Sequence, residues 1–160
     1  MTETQVALKI QRIAWEIFEK HVNEKRLYLV GIAKSGYWLA EKIMHILGDI
    51  SDLDLSIVEL EINKKSPLSK DIRLNKDLAD LKGECVVLVD DVLNSGGVLM
   101  HGARHLLACD LKRLTTAVLI DRNHKRFPIK ADVKGLSLST TMQERVNVEI
   151  NADQAVVYLN

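Results

Sequence analysis

Cysteine is close to absent: Cys85 and Cys109 are the two in 160 residues, too few for a disulfide framework and in keeping with a reducing compartment. Net charge is missing as well. The 22 basic and 22 acidic residues cancel, so no global field draws the chain toward nucleic acid or a membrane, and affinity for RNA would need a localised patch. No apolar run approaches membrane-spanning length, and Met1-Thr2-Glu3-Thr4 has no basic stretch leading into an apolar one, so a cytoplasmic protein is expected. Internal repeats, low-complexity tracts and linkers are lacking. What is present is 47% hydrophobic residues, enough for a sizeable core, and residues 1–160 are expected to form one domain.

Val6, Ile10, Ile13 and Ile17 recur at helical spacing, which predicts an amphipathic helix from Thr4 to about His21 with Thr2 or Thr4 as N-cap. Leu27 to Ile32 reads as a strand, Gly31 to Gly36 as a loop, and Leu39, Ile43, Ile46 and Leu47 as a second helical stripe. Leu55 to Ile62 alternates like a strand, and the polar stretch from Asn63 to about Lys76, with Pro67, reads as a mobile loop. Cys85 to Val89 is a continuous apolar run, expected of a strand buried on both faces and ending at Asp90-Asp91. A helix is expected from Val98 to Asp110 and a buried strand over Leu114 to Ile120. Short strands near Gly135 to Ser139, Arg145 to Ile150 and Ala155 to Leu159 close the chain as a lid on the sheet edge. Strands alternating with helices at this spacing predict an α/β fold, a parallel sheet flanked by helices on both faces.

Ligands of such sheets collect at the carboxyl ends of the strands, which singles out three loops. In the first, Val-Val-Leu-Val-Asp-Asp-Val-Leu-Asn-Ser-Gly-Gly-Val over 86–98, two carboxylates follow a buried strand and a glycine turn opens a helix. Unpaired amides at Ser95, Gly96, Gly97 and Val98 suit a phosphate, and glycine permits close backbone approach. Asp90 and Asp91 only accept hydrogen bonds, which suits vicinal ribose hydroxyls or the water shell of magnesium. A capped strand-to-helix turn with no ligand is the plainer account of the same residues. In the second loop, over 30–41, Lys34 supplies charge and the amides of Ser35 and Gly36 suit a concave anion nest; the alternative is an ordinary loop with a solvated lysine. In the third, Asp121 and Arg122 follow a strand at the ligand edge and a basic run continues through Lys125, Arg126 and Lys130; the alternative is a salt-bridged exit turn. His101 and His105, four apart on one helix, lack further metal ligands nearby and read as surface or interface residues.

The 86–98 stretch resembles the phosphoribosyl-pyrophosphate signature of type I phosphoribosyltransferases: a hydrophobic strand, two acidic residues, three variable ones, then Thr-Gly-x-Thr. Ser95 stands at the first threonine and Val98 at the second, while Gly97 stands where the pyrimidine-operon regulator branch has arginine. The resemblance implies a phosphoribosyltransferase-type, Rossmann-like fold with a small C-terminal β hood. It also implies that Asp90 and Asp91 hold the ribose hydroxyls, and Mg²⁺ through water, and that Asn94 to Val98 wrap the 5′-phosphate. Ala33-Lys34-Ser35 resembles the family's pyrophosphate loop, which implies a non-proline cis peptide at Lys34-Ser35. The run Ala117 to Val133, with Ile-Asp-Arg-Asn-His-Lys-Arg-Phe-Pro-Ile-Lys-Ala-Asp-Val at its end, is similar to the pyrimidine-operon regulator and uracil phosphoribosyltransferase branch. In that branch a long loop carrying Tyr-Arg-Asp-Asp closes on the substrate. Here Glu59-Leu60-Glu61-Ile62 leads into a shorter Asn63-Lys64-Lys65-Ser66-Pro67-Leu68, in which Lys64, Lys65 and Lys70 either cover the pyrophosphate or are merely solvated. The resemblance implies transfer of phosphoribose from magnesium phosphoribosyl pyrophosphate to a nucleobase, uracil foremost, by a homodimer or higher oligomer. Its alternative is a weakly catalytic nucleotide sensor acting on RNA or a protein.

Overall fold

The computed structural model describes residues 1–141 and 143–160. Helix α1, Glu3–Lys20, buries Val6, Ile10, Ile13, Ala14 and Ile17, and Thr2 closes a capping box with Gln5 at its start. Strand β1, Arg26–Ile32, runs straight into helix α2, Ala33–Ile50. Strand β2, Asp54–Glu61, and the two-residue β3, Arg73–Leu74, follow. Then come strand β4, Cys85–Leu93, helix α3, Gly97–Leu106, and strand β5, Arg113–Asp121. The chain ends in β6, Val133–Ser137, β7, Val146–Asn151, and β8, Gln154–Leu159.

Six strands form one sheet in the order β3-β2-β1-β4-β5-β6, with β2-β1-β4-β5-β6 parallel and β3 antiparallel at the edge. The alternation of side chains along each strand sorts the core into two layers. Leu27 and Leu29 of β1 and Cys85, Val87 and Val89 of β4 face α1 and α2. Their neighbours Tyr28, Val30 and Ile32, with Val86 and Leu88, face α3. This is the expected α/β architecture, a parallel sheet flanked by helices on both faces.

Three boundaries differ from expectation, each for a tertiary reason. The ladder between β4 and β5 continues through Val92↔Ile120 and Leu93↔Asp121, so Asp90 and Asp91 lie within the strand and not after it. Helix α3 ends at Leu106 because the chain tightens there, with Ala108 N–H donating to His105 O and Cys109 N–H to Leu106 O. The expected C-terminal lid divides: β6 joins the main sheet beside β5, while β7 and β8 form a separate antiparallel pair. That hairpin rests on the helical layer, where Trp38 Nε1 donates to Ala152 O at 3.1 Å and Lys42 pairs with Asp153 at 2.9 Å. It is the stretch 138–141, on the way to the hairpin, that passes the carboxyl end of β5, with Leu138 N–H donating to Asp121 O at 2.8 Å. Among the described residues no helix is long and apolar enough to cross a membrane.

Candidate active site at the carboxyl edge of the sheet

From β1 the chain steps to β2 on one side, and from β4 it steps to β5 on the other, so the sheet changes direction between β1 and β4. A crevice opens at such a switch point because the helices that follow the two strands lie on opposite faces. Here those helices are α2 and α3, and both begin at the crevice without a side-chain cap.

At the end of β1 the expected loop is absent. Ala33 takes φ 51°, a strained conformation for alanine, and the helix starts at once. The peptide bonds of the described residues are all trans, so the cis bond implied at Lys34-Ser35 is not present; the turn is made by the positive φ of Ala33. Lys34, Ser35 and Gly36 thus form the first turn of α2, whose amides lack intrahelical acceptors. Two glycines permit this close join. A Cβ on Gly31 would lie 2.3 Å from Tyr37 Cα, and one on Gly36 would lie 2.6 Å from Val89 O and 3.2 Å from Asp90 Cα.

Asp90 is 3% exposed, and Asp91 is partly buried beside it. Both carboxylates point at one ammonium: Lys64 Nζ donates to Asp90 Oδ1 at 2.7 Å, to Asp91 Oδ1 at 2.9 Å and to Ser35 Oγ at 3.1 Å. Burial and the neighbouring Asp91 push the Asp90 carboxyl up to about 8, against the pull of Lys64. For Asp91 burial also raises the pKa, but Lys64 and the hydrogen bonds from Asp90, Lys64 and Ser35 outweigh it and the net shift is downward. One cation shared by two buried acids thus leaves one of them holding its proton far above the usual range.

At the end of β4, Gly96 sits at φ 86° as the residue before α3. A side chain there would be strained, and its Cβ would meet Ile129 at 2.8 Å. Ser95 Oγ accepts from Gly97 N–H at 3.2 Å, which uses one amide of the expected phosphate cradle, and Ser95 O accepts from the amides of Arg126 and Phe127. The loop is therefore held from below by the 122–130 segment. Val98 follows within the first turn of α3.

At the end of β5, Asp121 is fully buried; its carboxylate accepts from Asn123 N–H at 3.0 Å and from Lys134 Nζ at 3.2 Å, with Lys125 Nζ 3.6 Å away. These contacts outweigh burial and lower its pKa. Arg122 is 6% exposed. Its guanidinium donates to Asn94 Oδ1 and Thr140 Oγ1, each at 3.2 Å, and to the Glu144 carbonyl. Both residues lie at the ligand edge as expected, but their polar atoms are engaged with the protein.

The structure thus brings together Ser35, Gly36, Asp90, Asp91 and the 94–98 loop. Lys34 is exposed on α2, and the lysine that reaches the acids is Lys64, foreseen as a cover for pyrophosphate but not as a partner of the aspartates. Its signal was a lysine three residues past the end of β2, the strand neighbouring β1. No group of three or more His, Cys, Asp or Glu side chains that would hold a metal by themselves occurs among the described residues. The paired oxygens of Asp90 and Asp91 nevertheless suit a hard cation that brings its other ligands with it.

Residues 2–151 match the phosphoribosyl transferase domain family. The bifunctional protein PyrR of Streptococcus pyogenes serotype M12 is 35% identical over 146 residues, covering 88% of this chain and 83% of that one. Its counterpart from Streptococcus equi subsp. zooepidemicus is 34% identical over the same lengths. Among solved structures, a hypoxanthine phosphoribosyltransferase of Trypanosoma cruzi superposes with TM-score 0.77 at 16% identity, over 98% of this chain and 93% of that one. A hypoxanthine-guanine phosphoribosyltransferase of Bacillus anthracis gives TM-score 0.72 at 18% identity, over 86% and 80%.

Proposed function

Because this chain belongs to the phosphoribosyl transferase family and is a phosphoribosyltransferase, we propose that it transfers phosphoribose from magnesium phosphoribosyl pyrophosphate to uracil. The observation that carries this reading is the pairing of the diacid Asp90-Asp91 with a glycine helix start at Gly96-Gly97, five residues past Asp91, where only the Gly97 amide meets a side chain, that of Ser95. A 5-phosphorylated ribose presents hydroxyls and a phosphate to match them.

In this reading the ribose hydroxyls donate to Asp90 and Asp91, while the 5′-phosphate accepts from the amides of the Ser95–Val98 turn. The first-turn amides of α2, at Lys34, Ser35 and Gly36, face the pyrophosphate. Asp90 and Asp91 would hold a magnesium ion through water, and it would supply charge neutralisation for that leaving group. The ring nitrogen N1 of the base then forms a bond to C1′ as the C1′–O bond to pyrophosphate breaks, and the N1 proton passes to the departing pyrophosphate or to water. Asp91, whose pKa is lowered and which stays ionised, favours the positive character that develops on the sugar between the two events. Lys64 has to leave the diacid before the ribose can occupy it, and once displaced it lies on the loop nearest the pyrophosphate side. No covalent nucleophile is required.

A second reading, a nucleotide-sensing regulator acting on RNA, is favoured by Val98, which cannot give the hydroxyl of the family signature, and by the occupation of the diacid by Lys64. Pyrophosphate release from magnesium phosphoribosyl pyrophosphate, measured against uracil, hypoxanthine, guanine, xanthine, adenine and orotate, separates the two. Release with uracil alone, abolished by Asp90→Asn/Asp91→Asn, is the expected result. Release with a purine instead refutes uracil, and no release with any base from folded protein favours the regulator, to be followed by salt-dependent binding of pyrimidine-operon leader RNA.

A further inference from the structure

Arg122 is the residue whose bonding the reading above leaves unused. It is buried, yet its hydrogen-bond partners are neutral oxygens: Asn94 Oδ1, Thr140 Oγ1 and the Glu144 carbonyl. Removing a guanidinium from water without a carboxylate partner is costly, so a position that keeps one has a use for its shape. The shape is a planar fork with donors on three sides. One side reaches back to the phosphate-loop residue Asn94, and the others reach forward to the 138–145 segment. The backbone repeats the link: Arg122 N–H donates to Leu93 O at 3.0 Å, and Leu138 N–H donates to Asp121 O at 2.8 Å. His124 Nε2 contacts the Thr140 carbonyl, and within the segment Thr141 N–H donates to Glu144 Oε2 at 2.7 Å. The ends of the segment are anchored independently, Leu138 against the core and Arg145 by a reciprocal backbone pair with Asn160 at 2.8 and 3.0 Å, while Thr141 and Gln143 between them are exposed.

We propose that Arg122 is a positioning residue, which clamps the 138–145 segment to the phosphate loop and so sets where an incoming nucleobase lies relative to the ribose. The inference rests on the transferase reading for its consequence, but the clamp itself is a property of the fold. Lysine in its place keeps the charge and reaches one acceptor instead of three. In Arg122→Lys the segment is released at Thr140 and Glu144, while the diacid and the α3 amides, which Arg122 does not touch, keep their geometry.

The test compares wild type with Arg122→Lys in two measurements. Hydrogen exchange, which needs no turnover, should show the amides of 139–141, 143 and 144 exchanging about 10-fold faster in the variant, with β4 and β5 unchanged. Steady-state kinetics with whichever base is turned over should show KM for that base raised about 10-fold or more, with the Kd for magnesium phosphoribosyl pyrophosphate within about two-fold. Faster exchange without a change in base KM overturns the positioning role. Equal losses of base and phosphoribosyl pyrophosphate affinity, accompanied by a lowered Tm, reduce Arg122 to a structural residue and also overturn it. Unchanged exchange overturns the clamp. If wild type turns over no base, the transferase reading fails by itself, and the same comparison is made with a nucleoside monophosphate: weakened binding of it in Arg122→Lys, with phosphoribosyl pyrophosphate binding retained, supports the clamp, and unchanged binding overturns it.

Discussion

The two ends of the sheet hold the same kinds of charged residue and treat them in opposite ways. At the amino end, Arg26 pairs with Asp54 at 3.1 Å and with Glu84 at 3.3 Å, and Lys112 pairs with Glu24 at 2.8 Å, all in reach of water. At the carboxyl end, two aspartates are drawn into the molecule around one lysine, and a third is buried between Lys125 and Lys134. The helices differ too. The start of α1 is closed by Thr2 and Gln5, while in α2 and α3, which start at the crevice, the N-cap residue makes no side-chain hydrogen bond. An exposed ion pair contributes little and tolerates change, whereas buried acids and open amides are retained at a cost in stability and gain their value when a ligand satisfies them. The comparison teaches that the working end of this fold is recognised by what it leaves unsatisfied.

The largest expected effect breaks the carboxyl end outright. Asp90→Asn/Asp91→Asn should lower turnover by about 10²–10³ or more, as expected when groups facing developing charge are removed. The measurement is pyrophosphate release at saturating base. Next, Gly36→Ala forces a Cβ to within 2.6 Å of Val89 O, and overpacking against rigid backbone should cost about 1–3 kcal/mol. Urea denaturation would read that cost, and weaker binding of phosphoribosyl pyrophosphate should accompany it because Asp90 must move.

Lys64→Met tests whether the two acids depend on their shared cation. A third of the Lys64 side chain is exposed, so the loss should be about 1–2 kcal/mol, less than for a fully buried pair. The pH dependence sharpens the same point. Asp90 holds its proton up to about 8 in the folded chain, against 3.8 ordinarily. Its contribution to stability is therefore fully present below 3.8 and is lost as pH rises through about 8. In Asp90→Asn that decline should disappear, so denaturation at pH 5.5 and pH 8.5 should show a smaller difference than in wild type. The smallest effect belongs to the amino end. Arg26→Ala should cost about 0.5 kcal/mol or less, and added salt should shrink even that; a loss above about 2 kcal/mol would contradict the contrast between the two ends.

Much of this was legible along the chain. The spacing of Val6, Ile10, Ile13 and Ile17 placed α1, and the run Cys85–Val89 placed the central strand, because burial on a helix face or between two layers leaves a periodic trace in neighbouring residues. The diacid and the glycine turn were legible for a related reason, since the chemistry is carried by contiguous residues. Ala33 was not, because nothing local announces that a helix will start with no intervening loop. That follows from how closely α2 packs on β4, and Gly36 shows its meaning only once Val89 O lies 2.6 Å from the Cβ it lacks.

The sequence by itself determined the alternation of strand and helix, the two faces of the sheet and the stretch in which the aspartates and glycines are found, all of which depend on short-range periodicity and turn chemistry. The tertiary structure decided that Lys64 and not Lys34 meets the aspartates, that β6 extends the sheet while β7 and β8 leave it, and that Arg122 ties Asn94 to Thr140. Those contacts join residues 16 to 28 positions apart, and their pairing depends on where the layers place strand ends, which no local pattern encodes.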